Sequence, residues 1–240
     1  YESLQRDVKE MIDHLTEPIF GLGEKVVMSY DDVVALVEAA VALFDAAVAC
    51  VVAVVALPDA AVAEFARHGP DGATIDRIAK SAGVNKERAY NYFGDKRALF
   101  AAVLRSELAK AAKALPLHSF ASEDIGDYAG RVFDYHCDHP ELSRLMRWEG
   151  LVFDGEVPDE ALRRTYYSQK VEAVADGQRH GKLTQSLDSD HLTFLVLALA
   201  GWWSAVPQVA RMFTGNEDAN EKTRRRASVV EAARRLATDS

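Results

Sequence analysis

The chain has 240 residues, of which 49% are apolar and 27% are charged. This composition excludes a disordered or fibrous protein, and the length is sufficient for a good core and one or two domains. The formal net charge of -9 is uneven: residues 1–57 carry three basic and ten acidic side chains, whereas residues 58–100 carry seven basic and six acidic ones. Two cysteines without paired spacing and the lack of a secretory signal pattern at the start predict a cytoplasmic protein.

The first segment, residues 1–57, is acidic and becomes rich in alanine and valine. An acidic helix is expected in residues 2–14, and the stretch 33–57 is apolar except for two acidic residues. Its longest uncharged run has 12 residues, whereas a membrane-spanning helix needs about 20. We therefore predict no membrane insertion, and a helix that packs on the body or on a partner chain. Pro58 predicts that the following helix begins or kinks there and ends at Gly69.

A helix-turn-helix is predicted in residues 74–100, which read TIDRIAKSAGVNKERAYNYFGDKRALF. Thr74 can cap a helix whose apolar residues recur at helical spacing, and Gly83 supplies the left-handed conformation that ends it. Asn85 can cap the second helix, Lys86–Phe93. In a helix-turn-helix, this second helix enters the major groove of DNA.

Residues 59–104 resemble the DNA-binding domain of the TetR family of bacterial transcriptional repressors. The family pattern G-V-x-K-x-x-x-Y-x-Y-F-x-x-K is matched by Gly83, Val84, Lys86, Tyr90, Tyr92, Phe93 and Lys96. The resemblance implies phosphate contacts from Thr74, Tyr92 and Lys96. It also implies contacts in the DNA groove from Lys86, Glu87, Arg88, Tyr90 and Asn91.

Two residues of the predicted recognition helix depart from the family pattern. Glu87 stands where a small residue is common, and Ala89 stands where leucine is common. A carboxylate near phosphates weakens binding unless it pairs with Arg88 or accepts a hydrogen bond from a cytosine amine. Because alanine is smaller than leucine, we expect less side-chain packing between this helix and the rest of the domain.

The remainder of the chain predicts helices separated by short breaks, and no alternating strand pattern competes with them. The expected helices are residues 96–115, 122–137, 140–152, 159–181, 189–214 and 217–238. Residues 191–213 are apolar nearly all round, which predicts a helix buried on more than one side. The fold is therefore predicted to be all-α. Its predicted parts are an extension of unknown role (1–57), a helix-turn-helix DNA-binding domain (58–104), and a helical ligand-binding and dimerisation domain (105–240).

The resemblance places a small-molecule pocket in the body, because members of the family usually have one between these helices. The candidate ligand-binding residues are Phe133, His136, Trp148, Tyr166 and Trp202. The alternative for each aromatic side chain is an ordinary core position, since cores are more common than pockets. In the family, the last two long helices pair with those of a second chain, so the resemblance also implies a homodimer.

Other motifs predict no further chemistry. The ligand-type side chains of residues 136–139 follow one another at a helix end, where they point in different directions, so no metal site is predicted. The basic run in residues 222–226 is predicted to be a solvated helix face. The sequence has no recognisable nucleophile signature and no glycine-rich phosphate loop, which predicts no enzyme and no cofactor.

The resulting hypothesis is a homodimeric transcriptional repressor. It binds a palindromic double-stranded DNA operator and is released by a small-molecule inducer, in the cytoplasm and without a membrane partner. The alternative is a helical interaction protein that kept the fold but lost sequence-specific DNA binding.

Overall fold

A computed structural model describes residues 29–216 and 218–239, and this part of the chain contains ten α-helices and no strand. The helices are α1 (Tyr30–Gly72), α2 (Ile75–Ala82), α3 (Lys86–Phe93), α4 (Lys96–Ala114), α5 (Ile125–Asp138), α6 (Pro140–Val152), α7 (Glu160–Arg179), α8 (Ser189–Ala205), α9 (Pro207–Thr214) and α10 (Ala219–Ala237). The predicted all-α class is confirmed. The helix expected in residues 2–14 lies outside the described residues.

The chain divides into two units, Tyr1–Val51 and Val52–Ser240. In the first unit, the described residues form the beginning of α1. Ser29 and Asp32 cap the start of this helix with two reciprocal hydrogen bonds. The Ser29 backbone N–H donates to the Asp32 carboxylate at 3.0 Å, and the Asp32 N–H donates to Ser29 Oγ at 3.2 Å. This capping box satisfies backbone donors that have no partner inside the helix.

The helical backbone of α1 continues through Pro58, so the predicted helix start at this residue is wrong. Leu57, Ala61 and Phe65 are fully buried on either side of the proline. Their packing holds the helix together despite the missing proline N–H, whose loss removes one backbone hydrogen bond. The helical geometry breaks at Gly69, where φ is 67° and ψ is 174°.

The second unit contains two hydrophobic clusters. The first, which we call the head core, joins α1 to α2, α3 and α4 and extends onto α6 through Leu142 and Leu145. Phe65 and Phe100 meet edge to face in it, with ring centroids 5.3 Å apart. The body core lies between α5, α7, α8 and α10, and its largest fully buried side chain is Phe133. The helix-turn-helix is therefore packed against a body helix through shared side chains.

α5 and α10 pack closely because glycine occupies their contact. A Cβ atom at Gly126 would lie 2.7 Å from the backbone oxygen of Val230. Basic residues of α10 pair with acidic residues of α5: Lys222 with Asp138 at 2.8 Å, and Arg226 with Asp134 at 2.7 Å. Arg225 is buried and pairs with Glu221. The prediction of the basic run in residues 222–226 as a solvated face is thus wrong for the buried Arg225, whereas Arg224 is exposed as predicted.

The helix predicted over residues 189–214 is two helices. α8 ends before Val206, Pro207 starts α9, and the two axes differ by 85°. Proline has no N–H to continue the hydrogen-bond ladder of α8 but fits the first turn of a new helix. The prediction of burial on more than one side is also wrong for the single chain, since large apolar side chains of both helices are exposed: Phe194, Leu195, Trp202, Met212 and Phe213.

Among the described residues, no single helix has both the length and the apolar character needed to cross a membrane. The bent pair formed by α8 and α9 meets that requirement only when the two helices are taken together.

Candidate nucleic-acid interface and effector region

The helix-turn-helix is built by side-chain caps and left-handed glycines. The Arg77 N–H donates to Thr74 Oγ1 at 3.4 Å, and the Glu87 N–H donates to Asn85 Oδ1 at 2.8 Å. Between these two helix starts, Gly83 has φ 67° and ψ 24°. A left-handed residue at this point reverses the chain at low steric cost only if it is glycine. The predicted caps of α2 and α3 and the turn glycine are confirmed.

The exposed face of α3 carries polar and aromatic side chains. Lys86 and Glu87 are exposed, and Tyr90 is 45% exposed, whereas Ala89 is buried against the head core. The backbones of Arg88, Asn91 and Tyr92 belong to the same helix, but their side chains lie outside the described part of the structure. The described residues therefore present a cation, a carboxylate and a phenol to a neighbouring molecule.

Lys86 is paired with Asp76 of α2, with its Nζ 2.9 Å from the carboxylate. This hydrogen bond raises the pKa of Lys86. Both side chains are at least half exposed, so the pair contributes little to stability. A DNA phosphate or base must compete with Asp76 for the ammonium group.

Thr74 and Lys96, two of the predicted phosphate-contacting residues, also hold the head together. Lys96 Nζ donates to the backbone oxygens of Asp71 at 2.8 Å and Ala73 at 3.1 Å. The Thr74 N–H donates to the Glu64 carboxylate at 3.1 Å. An ammonium group has three N–H donors, so Lys96 keeps one for a phosphate oxygen.

Glu64 is also bound by Arg77, whose Nε donates to it at 2.8 Å. This hydrogen bond from Arg77 lowers the pKa of Glu64. The carboxylate therefore stays ionised and ties α1 to the start of α2, which positions the first helix of the motif.

The head and the body are linked through α6. The Trp148 indole N–H donates to the backbone oxygen of Ala66 at 3.4 Å. The same indole covers Gly69: a Cβ atom there would lie 2.8 Å from the ring. At the end of α6, Phe153 stacks on Phe100 of α4, with centroids 5.8 Å apart. A displacement of α6 would therefore reach both α1 and α4.

The predicted ligand-binding residues occupy different surroundings. Phe133 is fully buried in the body core, and Trp148 lies at the link between head and body. His136 is half-buried with Nδ1 3.0 Å from Ser143 Oγ, and burial lowers its pKa. Tyr166 and Trp202 are exposed on α7 and α8. Two pockets of the body are lined by other residues.

The first pocket is an open, polar depression of about 290 Å³ near the start of α5 and the end of α10, lined by Phe120, Ala121, Ser122, Glu123, Asp124, Ile125, Lys182, Leu183, Arg234 and Thr238. The second is a cavity of about 10 Å³ between α5, α7 and α8. Its lining is mostly apolar and comprises Leu117, Phe120, Ile125, Tyr128, Lys170, Val174, Thr193 and Val196.

Two polar residues, Tyr128 and Lys170, line the small cavity. The Tyr128 hydroxyl is buried and has no hydrogen-bond partner among the described residues, and burial raises the pKa of Tyr128 to about 12. Lys170 Nζ lies 5.6 Å from the centre of the Tyr128 ring, and burial lowers the pKa of Lys170. In the described chain, no carboxylate lies within ion-pair distance of Lys170. A buried hydroxyl without a hydrogen-bond partner and a lysine without a carboxylate partner line the same mostly apolar cavity, which favours a ligand that accepts hydrogen bonds.

Sequence reasoning missed Tyr128 and Lys170, although the signal was present. Lys170 precedes the buried residues Ala173, Val174 and Gly177 at helical spacing, which places it on the inward face of α7. A lysine on a buried helix face is uncommon unless it has a partner.

Comparison with known proteins connects this arrangement to a family. The family model described as "Bacterial regulatory proteins, tetR family" matches residues 57–103, and "Tetracyclin repressor-like, C-terminal domain" matches residues 124–235. The HTH-type transcriptional repressor SCO4008 of Streptomyces coelicolor is 45% identical over 175 residues, which cover 72% of this chain and 89% of that protein.

The chain belongs to the TetR family. Solved structures agree with this. A putative transcriptional regulator of Streptomyces coelicolor, SCO4942, is 34% identical with a TM-score of 0.64, and the match covers 75% of this chain and 96% of that one. FadR of Bacillus subtilis in complex with stearoyl-CoA shares the fold at 14% identity, with a TM-score of 0.59 and coverage of 75% and 97%.

Family membership decides the class of function. As a TetR-family protein, the chain is a DNA-binding transcriptional regulator and not an enzyme. The α2–α3 pair is the DNA-binding motif of this TetR regulator, since the N-terminal family model covers it. The C-terminal family model covers α5 to α9 and most of α10, and this range includes the three helices around the small cavity.

Proposed function

We propose that this TetR regulator represses transcription as a homodimer bound to a palindromic operator, and that a small molecule bound in its body releases it. The observation that carries the proposal is the capped α2–α3 motif, which buries Ala89 and turns Lys86, Glu87 and Tyr90 outward. The proposed DNA contacts remain Thr74, Lys86, Glu87, Arg88, Tyr90, Asn91, Tyr92 and Lys96. A regulator of this kind acts in the cytoplasm, where bacterial DNA lies.

The exposed apolar side chains of α8 support the homodimer. Phe194 and Trp202 are separated by eight residues, so they lie two turns apart on one helix face, and both are largely exposed. Apolar patches of this kind mark interaction surfaces. A two-fold dimer through them suits a palindromic operator, whose half-sites lie about 34 to 36 Å apart. Trp202→Asp is expected to yield monomers in light scattering and to abolish operator binding.

The small cavity between α5, α7 and α8 supports the position of the inducer. It holds about one water molecule at 10 Å³, so a larger ligand must push these helices apart. The ligand would have an apolar body and an acidic or strongly polar end, which Lys170 and the Tyr128 hydroxyl would bind. The residues Phe133, His136, Trp148, Tyr166 and Trp202 remain candidates for its contacts.

The link through α6 supports the release mechanism. Movement of the body helices would displace Trp148 and, through Ala66 and Gly69, reorient α1. It would also reach Leu104, which is buried in the head core that α4 and α6 share. A coupling of about 1 to 3 kcal/mol between ligand and operator is enough for induction, provided that the ligand binds the two states unequally.

The direct test is selection of bound DNA from a random or genomic pool with the purified full chain. Recovery of a palindrome is expected, and the recovered sequence then serves to screen molecules that release it. Tyr90→Ala is expected to weaken operator binding at least tenfold, because it removes an exposed ring of α3. The matched control is Tyr167→Ala on α7, which is similarly exposed. Failure to enrich any sequence would favour a helical interaction protein that lost DNA binding.

A further inference from the structure

Residues 31–58 consist of four consecutive seven-residue repeats. They read DDVVALV, EAAVALF, DAAVACV and VAVVALP. The fourth position is valine in every repeat and the fifth is alanine, while the first is acidic in three of the four. The repeat therefore predicts more than a helix rich in alanine and valine.

The repeat lies within a single helix, α1, whose bounds are Tyr30–Gly72. In a helix, a strict seven-residue period aligns equivalent positions into stripes, and two helices keep such stripes in contact by supercoiling. The fourth and seventh positions of the repeats alternate at spacings of three and four. They form a valine stripe that comprises Val34, Val37, Val41, Phe44, Val48, Val51 and Val55.

Four side chains of the valine stripe are exposed in the described part of the chain. The exposed fractions are 49% for Val37, 54% for Val41, 68% for Phe44 and 63% for Val51. Scattered apolar residues on a surface need no explanation, but a contiguous stripe at coiled-coil spacing does. Four heptads are also the length at which an apolar seam specifies a coiled coil.

A second copy of the same segment is the partner that this repeat fits best. The period of the two helices is then identical, so each stripe residue meets its equivalent at every turn. β-Branched valine at the fourth position of every repeat suits one of the two core positions of a two-stranded coiled coil.

The acidic residues decide the direction of the pair. Asp31, Glu38 and Asp45 flank the valine stripe on one side, and Val33, Ala40, Ala47 and Val54 flank it on the other. In a parallel pair, the flank that carries the carboxylates faces the uncharged flank of the partner helix. In an antiparallel pair, carboxylates would face carboxylates, and like charges repel.

We propose that residues 31–55 of α1 form a parallel two-stranded coiled coil with the same segment of a second copy of the chain. This contact is independent of the apolar face of α8. Together the two contacts raise the avidity of self-association, because the second one forms at high effective concentration once the first is made.

Disulfide cross-linking in the full chain tests the proposal. In a Cys50→Ser background, single cysteines replace Val37, Phe44 or Val51, which are successive seventh positions of the repeat. The controls are Leu36→Cys and Leu43→Cys, one residue away on another face; Leu43 is exposed like the stripe residues. Cys137 is common to all variants. Mild oxidation is expected to give covalent dimers at the three stripe positions at least tenfold faster than at the controls.

Other outcomes overturn the proposal in recognisable ways. Equal rates at stripe and control positions would show that this face makes no specific contact between copies. A cross-link confined to the central cysteine at position 44 would indicate antiparallel pairing. Flotation of the chain with phosphatidylcholine vesicles, without any cross-link, would assign the stripe to a membrane surface. The aspartate pair Val41→Asp and Phe44→Asp should abolish cross-linking through Val37→Cys, whereas Leu36→Asp with Leu43→Asp should preserve it.

Discussion

Replacing Lys96 with alanine separates two roles of this residue. Its ammonium group donates to the backbone oxygens of Asp71 and Ala73, which join the end of α1 to the start of α2. The third N–H remains for a DNA phosphate. The variant therefore loses internal hydrogen bonds and one positive charge at the proposed DNA surface.

Both losses have an expected size. Hydrogen bonds to charged groups contribute about 1.5 to 3 kcal/mol each, but the exposed Asp71 oxygen can bind water instead, so we expect destabilisation of about 2 kcal/mol. Each phosphate contact contributes about 0.9 to the slope of log Kobs against log salt concentration. A dimer loses two such contacts, which predicts a slope about 1.8 units less steep.

The assay is operator binding at a series of salt concentrations, combined with urea unfolding. Lys113→Ala is the matched control, since Lys113 is exposed near the opposite end of the same helix. It should change neither the slope nor the stability. An unchanged slope in Lys96→Ala, with the protein still folded, would refute the phosphate contact, and unchanged stability would refute the internal clamp.

Three further predictions concern stability. Gly69→Ala should lower the free energy of unfolding by about 2 to 4 kcal/mol, because a side chain is strained at this φ and would overlap the Trp148 indole. Gly181 has a similar φ but open space around it, so Gly181→Ala should lower the free energy clearly less; equal losses would contradict the overlap with Trp148. Glu149→Gln should lower the free energy of unfolding by about 2 to 3 kcal/mol, because Arg163 donates two mostly buried hydrogen bonds to the Glu149 carboxylate. The control is Glu160→Gln, which removes the exposed pair with Arg164; a loss above about 0.5 kcal/mol there would argue against burial as the cause. Burial lowers the pKa of Lys170 in the folded chain, so the unfolded chain binds the lysine proton more tightly. The stability of the folded chain should therefore rise with pH between the folded and unfolded pKa values of Lys170. The thermal unfolding midpoint of Lys170→Met should lack this rise.

Sequence reasoning succeeded where structure depends on neighbours in the chain. The caps at Thr74 and Asn85 and the turn at Gly83 involve atoms within a few residues, so residue type and spacing predict them. It failed at two prolines for opposite reasons. Pro207 was overlooked inside an apolar run and ends a helix, whereas Pro58 was expected to begin or kink one and is held within a helix by buried neighbours.

The proposed effector region was less predictable. The aromatic residues chosen from composition are distributed over the body core, the link between head and body, and the exposed faces of α7 and α8. Tyr128 and Lys170 come together only because α5 and α7 both pack against α8. Whether a buried polar group has a partner depends on residues that are distant in the chain, and spacing alone does not reveal them.

Residue types and their spacing were enough to predict a helical chain, the position of the helix-turn-helix and the resemblance to the TetR family, because helix ends and turn geometry are set by local hydrogen bonds and backbone conformation. The partners of the charged groups became clear from the folded chain: Lys96 binds the backbone oxygens of Asp71 and Ala73, and Lys86 pairs with Asp76. The tertiary structure also decided which apolar faces stay exposed and that Trp148 joins head to body. These features arise from packing between elements far apart in the chain, where competition among many possible partners selects the contacts.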